Sequence, residues 1–171
     1  MPSDAPDHID AIVAQWRRER PDLDVRPLGV LGRLFRVAQL ADAELSKGLS
    51  DYGLQPGWFD LLAALRRAGR PYELNPTELM RTTMLSSGGM TKRLDRMAEA
   101  GLVERRPDPK DRRGTLVGLT AKGQSVVDDA IATHLANEAR LLRALSPTDR
   151  RTLDRLLRAL LADLDPEPRR P

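Results

Sequence analysis

The sequence predicts a mainly α-helical fold that carries one small β-hairpin, and three observations predict it. Apolar residues recur at threes and fours through most of the chain, the spacing that gathers them on one face of a helix. Between residues 75 and 101 two short helical segments follow each other, each opened by a capping signal. Directly after them come two short strand-like runs around a turn of Pro, Asp and Gly. At 171 residues the chain suits one domain with a core of its own.

The elements follow in order. Asp7 to about Arg20 reads as a short amphipathic helix with Ile9, Ile12, Val13 and Trp16 on one side, and Pro21 ends it. P-D-L-D-V-R-P is a linker, so residues 1–27 form an added helix and its connection. A longer helix spans about Leu28 to Lys47, with Leu31, Leu34, Phe35, Ala38, Leu45 and Leu49 recurring along it. The next occupies about Pro56 to Ala68, lined by Trp58, Leu61, Leu62 and Leu65 and closed by Gly69. The start of the following helix is over-specified: Asn75 caps it, Pro76 takes its first position and Glu78 reaches back as a capping-box carboxylate. Ser86 and Ser87 open another helix, which Gly101 terminates. L-V-E-R-R and T-L-V-G-L-T are the strands. Thr120 caps a long helix to about Ala144, and S-P-T-D caps a last one with a stripe of Leu153, Leu156, Leu157, Leu160, Leu161 and Leu164. Residues 165–171 are expected to be a disordered tail.

Residues 28–164 thus read as one unit: a helix-turn-helix at 75–101, a wing at 102–119, and long flanking helices at 28–50 and 120–164. The apolar faces of those flanking helices lie outside the compact middle and predict a symmetric homodimer; packing on their own chain is the alternative.

Composition excludes several classes. A net charge of +3 neither demands nor excludes nucleic acid, so placement of the cations must decide. No cysteine means no disulfide and no thiolate chemistry, which fits a cytoplasmic location. No run approaches the roughly 18 apolar residues of a membrane span. His8 and His134 are the only histidines, and neither a metal-ligand cluster, a G-x-S-x-G nor a phosphate-cradling loop is present. The expectation is a protein that is not an enzyme and needs no cofactor.

The cations of the middle segment point to double-stranded DNA. On a helical wheel Leu94, Met97 and Gly101 fall within about 40° of Met90 and face the core, while Gly88, Lys92, Asp95, Arg96 and Glu99 point away. Ser86, Ser87, Gly88 and Gly89, with Thr91, sit at the helix start, where backbone amides favour phosphate. Arg105, Arg106, Lys110, Arg112 and Arg113 then place five positive charges in nine positions of the wing. Asp108 and Asp111 are expected to brace the loop by pairing with neighbouring arginines, leaving Arg113 for a minor groove. A protein-binding adaptor is the alternative, and the wing arginines disfavour it.

Residues 28–163 resemble the multiple-antibiotic-resistance regulator (MarR) family of winged helix-turn-helix repressors, on M-T-K-R-L-D-R-M, G-L-V-E-R, D-P-K-D-R-R-G, L-T-A-K-G and L-S-P-T-D-R-R-T-L. The resemblance implies a homodimer on a pseudo-palindromic operator, repressing until a small ligand or oxidant weakens binding. Without cysteine, the ligand route is left.

A second set of residues bears on that ligand. Arg93 lies roughly 80° from the core direction of its helix, so its guanidinium can reach back into the protein. Asp60 interrupts the apolar segment W-F-D-L-L-A-A-L, where an unpaired charge is costly. Spacing alone leaves a structural salt bridge and a packing role for Trp16 open. The added helix with its Trp16, together with Asp60, Arg93 and Arg105, resembles the urate-responsive subgroup of the family. That resemblance implies a site for a small aromatic anion, urate, at those four residues. Asp60 is expected to pair with Arg105 in the DNA-competent state. A phenolic or aromatic carboxylate effector is the alternative.

Overall fold

The computed structural model describes residues 5–83 and 89–165, with Arg112 described by its backbone alone. In chain order the elements are α1 (His8–Glu19), α2 (Arg26–Ser50), α3 (Trp58–Arg67), β1 (Glu73–Leu74), α4 (Pro76–Arg81), α5 (Met90–Glu99), β2 (Val103–Asp108), β3 (Asp111–Leu119), α6 (Ala121–Leu141) and α7 (Pro147–Leu164), with a 3-10 turn at Leu142–Ala144.

Four of the α-helices begin at a side chain that satisfies the amides a helix start leaves open. The Asp7 carboxylate accepts from the Ile9 and Asp10 amides, while Asp10 accepts from the Asp7 amide. Asn75 and Glu78 form the same reciprocal box ahead of α4. The Thr120 hydroxyl accepts from the Gly123 amide, and Ser146 accepts from the Asp149 amide. Each such cap is worth about 1 kcal/mol. The sequence expectation of caps at Asn75, Thr120 and Ser146 agrees with what is seen, while Asp7, expected as the first residue of its helix, is its cap.

The core forms where α3, α4, α5 and α6 meet one face of the sheet. Leu61, Leu62, Leu65, Leu79, Leu94, Met97, Val117 and Val127 are fully buried there. The sheet runs β1-β3-β2, all antiparallel, with Val103 opposite Leu119 and Leu74 opposite Val117. Gly123 seats α6 on the sheet end: a Cβ there would lie 1.9 Å from the Leu102 carbonyl oxygen, so no other residue fits without moving backbone.

The outer helices are built differently. α1 lies on α2 through buried Ile9 and Val13, and Arg33 of α2 ties the junction by bonding Asp7 at 2.7 Å and Asp10 at 2.6 Å. Those bonds hold both carboxylates below their usual pKa. α2 leaves Val30, Phe35 and Val37 exposed, and α7 buries none of its residues. Among the described residues no helix is long and apolar enough to cross a membrane.

Three local expectations change. β1 is an addition to them, because a two-residue strand carries no alternation; it is held by its pairing to β3 at Glu73–Gly118. The hairpin strands run closer to the turn than the apolar runs suggest. α5 begins at Met90 behind Gly89, whose φ of 80° breaks any helix continuing from upstream. Ser86, Ser87 and Gly88 lie outside the described residues, as do residues 166–171 of the expected tail.

Candidate nucleic-acid interface and the cavity behind it

α5 is anchored by buried Met90, Leu94 and Met97, which leaves Thr91, Lys92, Arg96 and Glu99 exposed on the far side. Gly89 is exposed at the helix start. This is the orientation a helix needs to lay its first turns against base edges.

The wing turns at residues 109–110. Among the described residues neither aspartate makes the expected ion pair with an arginine; Asp108 Oδ1 accepts from the Lys110 amide at 2.8 Å, and Asp111 Oδ1 from the Arg113 amide at 2.9 Å. A carboxylate two residues upstream of an amide closes such a turn with less ordering than a pairing of two long side chains. Gly114 packs against them, since a Cβ there would lie 3.0 Å from the Asp108 Cβ.

Two of the wing arginines are engaged inside the protein. Arg105 Nη1 lies 2.7 Å from Asp95 Oδ1 of α5, and its Nη2 donates to the Thr91 carbonyl at 3.4 Å. Arg106 bonds Glu73 of β1, a carboxylate only 13% exposed. The expected pairing of Asp60 with Arg105 is therefore corrected: β2 runs beside α5, and Asp95 is the carboxylate within reach. An exposed pair like this adds at most about 1 kcal/mol of stability, but it straps the wing to α5. It also neutralises the Asp95 charge, which would otherwise face phosphate. Lys110 and Arg113 are exposed, and no ion pair engages either among the described residues. With Lys92 and Arg96 they make the outward cationic set; the side chain of Arg112 lies outside the described residues.

Behind α5 is a cavity of about 400 Å³ whose wall includes Asp42, Phe59, Asp60, Arg93, His134 and Glu138. It opens between α2, α3 and α6, so it adjoins both the core and the outer helices. Arg93 is half-buried, and its Nη1 is fully buried with no hydrogen-bond partner among the described residues. An unsatisfied guanidinium nitrogen in such a place costs a few kcal/mol. Asp60 is partly buried, and desolvation raises its carboxyl above the usual pKa, against the opposing pull of His134, Arg67 and Arg93. No ion pair reaches Asp60 among the described residues.

Of the four residues singled out for a ligand, the fold brings Asp60 and Arg93 to one cavity. Arg105 sits on the other flank of α5, on Asp95. Trp16 belongs to α1, 46% exposed, and is not on the cavity wall. Sequence reasoning misses Asp42, Phe59, His134 and Glu138. His134 stands out only as one of two histidines, and nothing in its spacing ties an α6 residue to Asp60. Its ring stacks at 4.4 Å on Phe59, the neighbour of Asp60. Among the described residues no cluster is placed to hold a metal ion.

Comparison with known proteins agrees with this geometry. Residues 52–114 match a model of the MarR family. The chain is 40% identical over 149 residues to the transcriptional regulator PecS of Dickeya dadantii, covering 87% of this chain and 90% of that one. It superposes with a TM-score of 0.69 on a mutant MarR from E. coli complexed with operator DNA, at 30% identity, covering 85% and 97% of the two chains. It superposes equally well, at 0.69 and 25% identity, on BpsR of Bordetella bronchiseptica, whose DNA binding is regulated by 6-hydroxynicotinic acid; 77% of this chain and 91% of that one are covered.

Proposed function

This chain belongs to the MarR family of DNA-binding, winged-helix transcriptional regulators, and from that premise we propose that it is a homodimeric repressor released by a small aromatic anion, urate. Each protomer lays α5 into the major groove of one half of a pseudo-palindromic operator. Lys92, Thr91 and Arg96 face the bases and adjacent phosphates, Ser86, Ser87, Gly88 and Gly89 approach the backbone, and Arg112 and Arg113 carry the wing into the minor groove. The protein works in the cytoplasm, where its operator is.

The observation that carries the ligand reading is the buried, unpartnered Arg93 Nη1 beside half-buried Asp60, in a cavity on the rear of the reading helix. Urate is a planar monoanion at neutral pH. Its anionic oxygen suits the guanidinium, and its ring N–H groups suit a carboxylate. A ligand held there draws on Arg93, which is part of α5, and so favours an arrangement in which Lys92 is displaced from the groove. Differential affinity for the two arrangements is what couples the sites. Arg105 takes part through Asp95, by holding the wing to the same helix. Trp16, exposed on α1 and off the cavity wall in this arrangement, would have to move to close over the ligand, and Trp16→Ala would then weaken release without weakening DNA binding.

The second reading, an aromatic carboxylate effector, is favoured by the regulation of BpsR by 6-hydroxynicotinic acid. One experiment separates the outcomes. A duplex selected by the protein from a random pool is bound in a gel shift, and urate is titrated in. Release at sub-millimolar urate, lost in Arg93→Ala, supports the first reading. An unshifted complex at several millimolar urate, with the dimer intact, ends it.

A further inference from the structure

The cavity behind α5 has an unexpected charge balance for a site that takes an anion. One guanidinium, Arg93, shares its wall with three carboxylates carried on three different helices: Asp42 of α2, Asp60 of α3 and Glu138 of α6. Asp42 lies close enough to Asp60 to oppose its ionisation, and Glu138 Oε1 lies 3.2 Å from His134 Nε2. The other ring nitrogen of His134, Nδ1, is buried without a hydrogen-bond partner among the described residues. The site therefore offers one strong donor for an anionic oxygen and a surplus of acceptors for anything bearing N–H.

Resting on the ligand reading above, we infer that Asp42 and Glu138, with Asp60, make the cavity selective for cyclic ureides and against aromatic carboxylates. A cyclic ureide such as urate spreads a single charge over its ring and keeps several N–H groups. Each N–H that meets a carboxylate forms a charge-assisted hydrogen bond, about twice as strong as a neutral one. An aromatic carboxylate concentrates its charge on oxygens that only accept. Arg93 can take one such group, and the remaining carboxylates repel it. Asp42 and Glu138 face solvent, which screens them, so each like charge weakens binding by roughly threefold. Asp42 and Glu138 are thus specificity-determining residues, and neither is legible from the sequence.

The test is calorimetric titration of the full-length protein with urate and, separately, with salicylate. It is run on the wild type, on Asp42→Asn/Glu138→Gln and on Arg93→Ala. Both acidic residues are exposed, and a thermal melt checks that the double variant folds. The wild type should prefer urate by at least about tenfold. The double variant should narrow that preference on the order of tenfold, chiefly by gaining affinity for salicylate. Arg93→Ala should weaken both ligands. An unchanged ratio in the double variant, with urate still bound, overturns this inference alone. So does a wild type that prefers salicylate. A wild type that binds neither ligand overturns the ligand reading, and this inference with it.

Discussion

Helices α3 and α7 make a useful pair to compare. Both are leucine-rich and amphipathic, and both are readily read from sequence. In α3 the seven residues Trp58, Phe59, Leu61, Leu62, Ala63, Ala64 and Leu65 are all buried against the reading lobe. α7 is longer, yet it buries none of its residues; Leu161 and Leu164 are 63% and 77% exposed. The same periodicity has thus been completed by the chain's own fold in one place and left open in another. α2 repeats the lesson within a single helix, covered by α1 and α6 on part of its circumference and bare at Val30, Phe35 and Val37. An apolar face states that cover is needed, and exposed apolar surface beyond scattered single residues marks an interaction site. The proposed dimer supplies that cover.

Mutations can break the comparison at either end. The largest expected loss of stability is in the lobe. Leu62→Ala should cost about 2–5 kcal/mol in urea unfolding, because the site is sealed within the core and cannot collapse. The matching change outside, Leu156→Asp with Leu160→Asp, should leave far-UV circular dichroism nearly intact while light scattering reports half the mass. Retained dimer in that variant would mean that the open faces of α2 and α7 are not the interface.

A smaller effect sharpens the division within the DNA-facing surface. Lys92→Ala and Arg113→Ala should each cost about 1–2 kcal/mol of operator affinity, roughly tenfold, and the phosphate contact should flatten the salt dependence by about one unit of slope. Arg106→Ala should cost less affinity, since that arginine is already spent on Glu73. Equal losses at Arg106 and Arg113 would undo the separation of internal from outward arginines.

The smallest effect concerns Asp60. Its folded-state pKa is raised, chiefly by desolvation, so its contribution to stability is fully present below the unfolded pKa and is lost as pH rises through the folded value. Asp60→Asn removes that loss. The variant should melt higher than the wild type near pH 7, with the gap closing toward pH 3, while its response to urate weakens. A gap that grows as the pH falls would show that Asp60 is stabilised as an anion in the fold.

How far the candidate site could be read in advance follows from the range of the signals. The caps at Asn75, Thr120 and Ser146 act over three residues, so sequence suffices for them. The inward face of α5 follows from the 3.6-residue period alone. The family motifs single out Arg93 and Asp60, and the fold brings both to one cavity. They misassign the partner of Arg105, because the choice between Asp60 and Asp95 depends on which side of α5 the first wing strand descends.

What the amino-acid order determined by itself is local: which segments are helical, where the side-chain-capped ones begin, which face is apolar, and that one helix and one hairpin carry outward cations. Capping, periodicity and turn chemistry operate over a few residues and need no knowledge of the rest. What only the tertiary structure decided is which charges meet. Arg105 neutralises Asp95, Arg106 is held by Glu73, and Asp42, Asp60, Arg93, His134 and Glu138 come from four helices to one cavity. Electrostatic energy depends on separation in space, falling with distance and with solvent between the groups, and residues 42 and 138 carry no trace of that nearness in their order along the chain.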